Sequence, residues 1–163
     1  MHVYGYKIHV IVDVSTELPV ALSVTKANTH DSTQFNRLYT LLKSYNTRFP
    51  TGVYTADKTF DSYNIRKILL KDRVQPVIKA SKVPFEPQYP KWFLEKYRKR
   101  TSVERFLSRL KEYLNLKKLR IYGKETVQFF TYLFCIGIVL IGYINHSLGY
   151  SPRSVKTFIR MFT

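Results

Sequence analysis

Between Phe129 and Ile144 the chain reads FFTYLFCIGIVLIGYI, sixteen residues with no charged side chain. A run this apolar has to be kept from water, and that limits what the rest of the chain can build. A bilayer span needs about 20 apolar residues. This run is shorter and contains Thr131 and two tyrosines, Tyr132 and Tyr143. The expectation is a core helix at about 125–147 and no membrane partner. Because the run is apolar nearly all round, other elements have to cover it. The chain of 163 residues is long enough for one domain with a real core. An apolar share of 45% excludes a disordered chain.

The remaining pattern is of strands first, then strands alternating with helices. Residues 3–12 alternate: Tyr4, Tyr6, Ile8, Val10 and Val12 face one way, and Lys7, His9 and Ile11 the other. Asp13 to Pro19 is turn-like, and Val20, Leu22 and Val24 alternate again, which predicts an antiparallel hairpin. Asp31 or Ser32 can cap a helix whose apolar face is Phe35, Leu38, Leu42 and Tyr45. Val53 to Ala56 is a short strand ending at Asp57. Asp61 or Ser62 starts a helix with Ile65, Ile68 and Leu69 inward. Val74 to Ile78 is strand-like, and Pro76 confines it to a sheet edge. Pro84, Pro87 and Pro90 mark a loop, followed by a basic helical region over about 92–115 with Leu107, Leu110 and Leu114 on its core face. Gly123 breaks the chain before the apolar helix, and Ser151-Pro152 opens a last helix through Val155, Phe158, Ile159 and Phe162. The order β-β-α-β-α-β-α-α-α predicts a mixed sheet covered by helices in a single domain, 1–163.

The net charge is +16, an excess that points to a polyanionic partner, nucleic acid above all. Half of it lies between Lys91 and Arg120, where eleven Lys/Arg face three Glu. In that segment Tyr97, Arg100, Glu104 and Lys111 follow the spacing Tyr-x2-Arg-x3-Glu-x6-Lys. At about 100° per residue in an α-helix, Arg100, Glu104 and Lys111 fall at roughly 300°, 340° and 320° from Tyr97. One stripe would thus carry an acid that can hold a cation among bases that can hold a phosphate backbone. Thr101-x-x-Glu104 also matches a capping box, in which Glu104 would bond back to the cap's amide and the helix would begin at Thr101. Both readings of Glu104 stand on these residues alone.

Asp57 follows its strand directly, and open α/β sheets bind ligands at the carboxyl ends of strands. It could equally cap a turn. Asp61 reads as the cap of the next helix. His30 and Asp31 form a polar helix entry with some metal-binding potential, and His9 reads as structural or exposed. The one cysteine, Cys135, excludes an internal disulfide and reads as a small buried hydrophobe. Met1 to Val10 has no signal-peptide layout, so a cytoplasmic protein is expected. No Gly-rich phosphate loop, zinc spacing or nucleophile elbow is present.

Several segments in order resemble the DDE transposases of prokaryotic insertion sequences, in the branch with a Tyr-Arg-Glu-Lys signature. Gly5-Tyr-Lys-Ile-His9 with Asp13, then Pro19-Val20, resembles the family's G-x-K-x-H strand and hairpin. Thr25-Lys-Ala-Asn-Thr-His-Asp31-Ser32 resembles its polar turn, and Ala56-Asp57-Lys-Thr-Phe60-Asp61-Ser62 its A-D-x-x-Y-D-S segment. Residues 97–111 fit the signature at every spacing.

The resemblance implies a ribonuclease-H-like fold, a mixed sheet flanked by helices with a helical C-terminal region. It also implies three acids holding two Mg2+ (or Mn2+) ions. Matched by position, Asp57 is the second acid and Glu104 the third, while Tyr97, Arg100 and Lys111 would contact DNA phosphates. Two ions about 4 Å apart can stabilise the attacking and leaving oxygens of an in-line phosphoryl transfer. Water would cut at the element's end, and the freed 3′-hydroxyl would then attack target DNA. In the family the first catalytic Asp lies on a strand before the G-x-K-x-H strand, and the chain has four residues before Gly5. The expectation is therefore a C-terminal catalytic portion lacking the first strand and Asp. It would be inactive and only marginally stable alone, with a companion N-terminal segment as partner beside DNA. A homodimer is compatible with this reading. The alternative is a non-catalytic basic DNA-binding protein.

Overall fold

The computed structural model of the chain describes residues 5–45, 52–81, 84–85, 87–113 and 122–160. Tyr4, Leu114, Arg120 and Phe162, each named above, lie outside the described residues, as do Lys117 and Lys118 of the basic segment. In chain order the elements are β1 (Tyr6–Val12), β2 (Pro19–Lys26), α1 (Phe35–Tyr45), β3 (Val53–Ala56), α2 (Tyr63–Lys71), β4 (Gln75–Ile78), α3 (Lys91–Arg98), α4 (Ser102–Tyr113), α5 (Lys124–Ser147) and α6 (Val155–Arg160). Short 3-10 turns cover Asp31–Gln34, Lys58–Phe60 and Lys99–Thr101. The molecule is a mixed α/β protein with small sheets and several helices. Its contacts divide it into two compact units, one of Met1–Thr29 with Ser102–Thr163 and one of His30–Thr101.

In the first unit β1 and β2 pair antiparallel, with Val10 opposite Leu22 and Ile8 opposite Val24. The alternation read from the sequence places Ile8, Val10, Val12, Leu22 and Val24 against one core with Phe106 and Leu110 of α4, Cys135 and Ile138 of α5, and Val155 of α6. Fully burying each such side chain contributes roughly 1.5–3 kcal/mol. On the other face of the hairpin His9 is buried, its Nε2 2.7 Å from the Thr25 hydroxyl, which makes it structural. Burial pushes the Cys135 thiol up to about 12, so it behaves as the inert hydrophobe expected.

Among the described residues the long apolar helix α5 is covered on one face only. Thr131, Cys135, Ile138, Gly142 and Asn145 are buried, with β2 and α6 packed against the helix. Phe129, Leu133, Ile136, Leu140 and Tyr143 stay exposed. Apolar residues circle the helix, and among the described residues β2, α4 and α6 enclose only part of the cylinder. By length and composition alone α5 could cross a membrane; within the chain it is a core helix with one open side. The last helix starts at Val155, later than Ser151-Pro152 suggested, because residues 152–153 form a turn first.

In the second unit β3 and β4 pair parallel, Val53 opposite Gln75 and Ala56 opposite Ile78. A two-stranded sheet has only edges, and Pro76 sits on one, as expected. Phe35, Leu38 and Leu42 of α1 are buried as the helical spacing predicted, and Tyr39, not among the predicted face, is buried with them. Tyr45 is an exception, 77% exposed at the end of the helix. The 3-10 turn at Asp31–Gln34 delays the start of α1 to Phe35. Among the described residues the strands form two separate two-stranded sheets, and none pairs with both the hairpin and β3.

The single basic helix expected over 92–115 is two helices, α3 and α4, joined by the 3-10 turn Lys99–Thr101. A 3-10 turn advances about 120° per residue where an α-helix advances about 100°. Tyr97 and Arg100 thus precede the start of α4, while Glu104 and Lys111 lie on it, so the one continuous helix assumed for the shared stripe is not present.

Candidate active site

Asp57 is the first residue beyond β3 and is exposed. Its Oδ1 accepts a hydrogen bond from the Lys58 N–H at 2.8 Å, capping the 3-10 turn Lys58–Phe60. The turn-capping reading thus holds for one oxygen. The Tyr97 hydroxyl donates to the same Oδ1 over a long 3.4 Å. Among the described residues Oδ2 takes no hydrogen bond. A carboxylate fixed through one oxygen and open at the other is a donor that a hard divalent cation can use.

Tyr97 reaches Asp57 from α3. Tyr89, Phe93 and Tyr97 stack in a column, with ring centroids 4.5 and 6.1 Å apart and interplanar angles of 13° and 11°. Phe93 is buried and anchors the column. The Arg100 guanidinium lies 5.2 Å from the Tyr97 ring centroid, and the Lys79 ammonium 5.5 Å from it. Both are within cation–π range. Asp57, Tyr97 and Arg100 are thus gathered in one unit.

Asp61 is no helix cap. Ser62 holds the position before α2, and Asp61 instead accepts from Arg66 Nε and from the Ser81 N–H, both at 2.8 Å. Burial acts to raise its carboxyl, and the Ser81 amide and the Arg66 guanidinium more than offset that, leaving it below the ordinary value. It latches the chain after β4 onto α2.

Glu104 and Lys111 belong to the other unit, on α4. Glu104 is exposed in the first turn and Lys111 in the last. Seven residues of α-helix bring them to within about 20° of one another around the axis. The Thr101 hydroxyl donates to the Arg98 carbonyl at 3.0 Å, and the helix starts at Ser102. A different sector of α4 carries Arg105 and Arg109. Arg105 Nε is 2.6 Å from Glu17 Oε1, and Arg109 Nη1 is 2.7 Å from Glu17 Oε2. Arg109 Nη2 also donates to the Glu17 carbonyl at 3.1 Å. Two of the cations counted towards a nucleic-acid surface therefore hold the fold together. Glu17 is not legible as a core anchor in the sequence, because its partners lie 88 and 92 positions away. The two arginines lie at i and i+4, with Glu112 three residues past Arg109, so nothing local pointed to a distant acid. Lys79 is not legible there either.

Asp13 is turn architecture: its Oδ2 accepts from the Thr16 N–H at 2.8 Å and hydroxyl at 2.7 Å. His30 and Asp31 join no group of three or more potential metal ligands, and no such group exists among the described residues.

Comparison with curated proteins and with solved structures finds no match. The family model for a transposase DDE domain matches residues 2–140, a stretch that spans the hairpin, Asp57 and the whole of α3 and α4. That match covers most of the chain, and the chain belongs to the DDE transposase family.

Proposed function

We propose that this chain is the catalytic portion of an insertion-sequence transposase of the Tyr-Arg-Glu-Lys branch, cutting and joining DNA by metal-dependent phosphoryl transfer in the cytoplasm. Asp57 and Glu104 are two of the metal-holding carboxylates; Tyr97, Arg100 and Lys111 hold DNA phosphates. Residues 1–163 make one catalytic domain with a ribonuclease-H-like plan. The observation that carries this reading is Asp57, placed at the carboxyl end of a parallel strand with one oxygen fixed and the other open, inside a matched DDE domain.

The donor set suits Mg2+ or Mn2+, which take carboxylate oxygens. Bound divalent ions would supply a nucleophile at neutral pH and charge stabilisation at the scissile phosphate. The chain's own residues do the rest. The Lys58 amide and the Tyr97 hydroxyl set the rotamer of Asp57. Arg100, steadied on the Tyr97 ring, offers a planar fork that can take a phosphate through two hydrogen bonds. Lys111 offers a point charge on the face of α4 that carries Glu104.

A companion segment supplying the third carboxylate is part of this proposal, and turnover by the chain alone is low. The test is cleavage of supercoiled plasmid in Mg2+ or Mn2+, with and without a companion segment carrying a strand and an Asp. Expected is cleavage that needs the companion and falls to background in Asp57→Asn and in Glu104→Gln. Plasmid binding with cleavage indifferent to both substitutions and to metal would leave a non-catalytic DNA-binding protein.

A further inference from the structure

Among the described residues Glu17 is the one buried carboxylate. It stands in the left-handed region at φ 55°, where a residue with a side chain is disfavoured. Strain of that kind persists only where the surroundings over-determine it. The turn around Glu17 is closed twice: its N–H donates to the Asp13 carbonyl at 2.8 Å, and the Asp13 N–H donates to the Leu18 carbonyl at 2.9 Å. From this fixed base the carboxylate reaches α4. Arg105 Nε donates to Oε1 and Arg109 Nη1 to Oε2, while Arg109 Nη2 donates to the Glu17 carbonyl. Arg105 Nη2 also reaches back to the Ser102 hydroxyl at 3.0 Å, at the first residue of α4.

The helix is thus gripped on two sides. Around its axis Arg105 and Arg109 lie about 40° apart, and so do the core residues Phe106 and Leu110. Glu104 and Lys111 share the remaining sector, roughly 130° from the middle of each pair. Apolar contacts are non-directional, so Phe106 and Leu110 alone would let the helix roll. Guanidinium–carboxylate hydrogen bonds have a set geometry and oppose the roll. At a helix radius of about 5–6 Å, a roll of about 10° moves an outward side chain by about 1 Å, a displacement that can cost about 100-fold in rate. The first turn, where Glu104 sits, needs the hold most. Its amides lack partners within the helix, and a 3-10 turn precedes it. We infer that Glu17 is a positioning residue of the proposed active site: through Arg105 and Arg109 it sets the rotation of α4, and so the placement of Glu104 and Lys111.

This inference rests on the phosphoryl-transfer reading of Glu104, and its test separates the two. Cys135, the one cysteine of the chain, is buried, so Glu104→Cys supplies the one accessible thiol for a nitroxide spin label. The label's spectrum is recorded in the full chain with no further change and with Glu17→Gln, Arg105→Met or, as a control in the same core, Ile138→Ala. Melting curves fix a temperature at which each chain is folded. Glu17→Gln and Arg105→Met should raise the label's mobility. Ile138→Ala, which lowers stability without touching Glu17, should leave it unchanged. Where Glu17→Gln does not fold, Arg105→Met, which keeps the Arg109 pair, decides alone. In chains that retain Glu104, plasmid cleavage with the companion segment should fall by up to about 100-fold in the same two variants. A label spectrum unmoved by Arg105→Met and by folded Glu17→Gln, or moved as far by Ile138→Ala, would make the cluster structural only and overturn the inference. Wild-type cleavage that survives Glu104→Gln would instead overturn the catalytic reading beneath it.

Discussion

Glu17 sits at φ 55° in the turn between β1 and β2, with its side chain 2% exposed between the guanidinium groups of Arg105 and Arg109. Arg153 Nη1 approaches the same carboxylate at 3.6 Å. Burial acts to raise the Glu17 carboxyl, and the hydrogen bonds and charges of Arg109 and Arg105 more than offset it, so it lies below its ordinary 4.5. Removing one partner of a buried pair leaves the other charge uncompensated and costs about 3–5 kcal/mol. Glu17→Ala should lose stability on that scale in a denaturant titration, with Arg109, which is 13% exposed, left buried and unpaired. The same cluster sets an acid limit. The folded carboxyl lies below the unfolded one, so the unfolded chain takes up the proton first. The contribution is complete above the unfolded pKa of about 4.5 and disappears as pH falls through the lower folded value. Melting temperature followed from pH 7 down to 3 should therefore drop steeply below about pH 4.5 in wild type. In Glu17→Ala the drop should be shallower.

Two glycines in α5 look alike in sequence and should behave oppositely. A Cβ on Gly142 would lie 3.0 Å from both Leu18 methyl carbons and 3.3 Å from the Pro152 carbonyl, so Gly142→Val should destabilise by about 1–3 kcal/mol through overpacking. A Cβ on Gly137 meets nothing within 4 Å, and Gly137→Ala should stabilise by up to about 1 kcal/mol through helix propensity. Thermal melts of the two variants decide both. On the open side of α5, a double Leu133→Glu, Leu140→Glu substitution should change stability by no more than about 0.5 kcal/mol per site. It should also reduce concentration-dependent light scattering, since it breaks an exposed apolar stripe. Element order was readable because strand alternation and helical spacing are local signals, and β1, β2, β3, β4 and α2 lie within a few residues of where those signals put them. The division of α3 from α4 was readable in part: the Thr101-x-x-Glu104 pattern allowed a helix to begin there, but Lys99-Arg100-Thr101 contains neither Gly nor Pro to end the helix before it. Asp57 could be read from its place after a strand. Its contact with Tyr97 joins residues 40 positions apart, and nothing local announces such a pair. The open side of α5 was missed because composition says how apolar a helix is, and only packing says how much of it is enclosed.

At the scale of the whole molecule, a net charge of +16 should dominate binding to any duplex. If the chain engages 6–10 phosphates, affinity should fall by about 10³–10⁵ between 50 and 200 mM salt. Anisotropy titrations at those two salts check it, and near-constant affinity would mean that the cations do not face DNA. The total overstates the surface available, because Arg105 and Arg109 are committed to Glu17. The one helix α4 divides its circumference into three sectors: Phe106 and Leu110 in the core, Arg105 and Arg109 on Glu17, and Glu104 with Lys111 exposed. A protein engineer who tried to transplant the Glu104–Lys111 pair into another scaffold could not carry α4 across alone. The recipient would also have to provide a buried anion in a hairpin turn, or two orphaned guanidinium groups would unravel the graft.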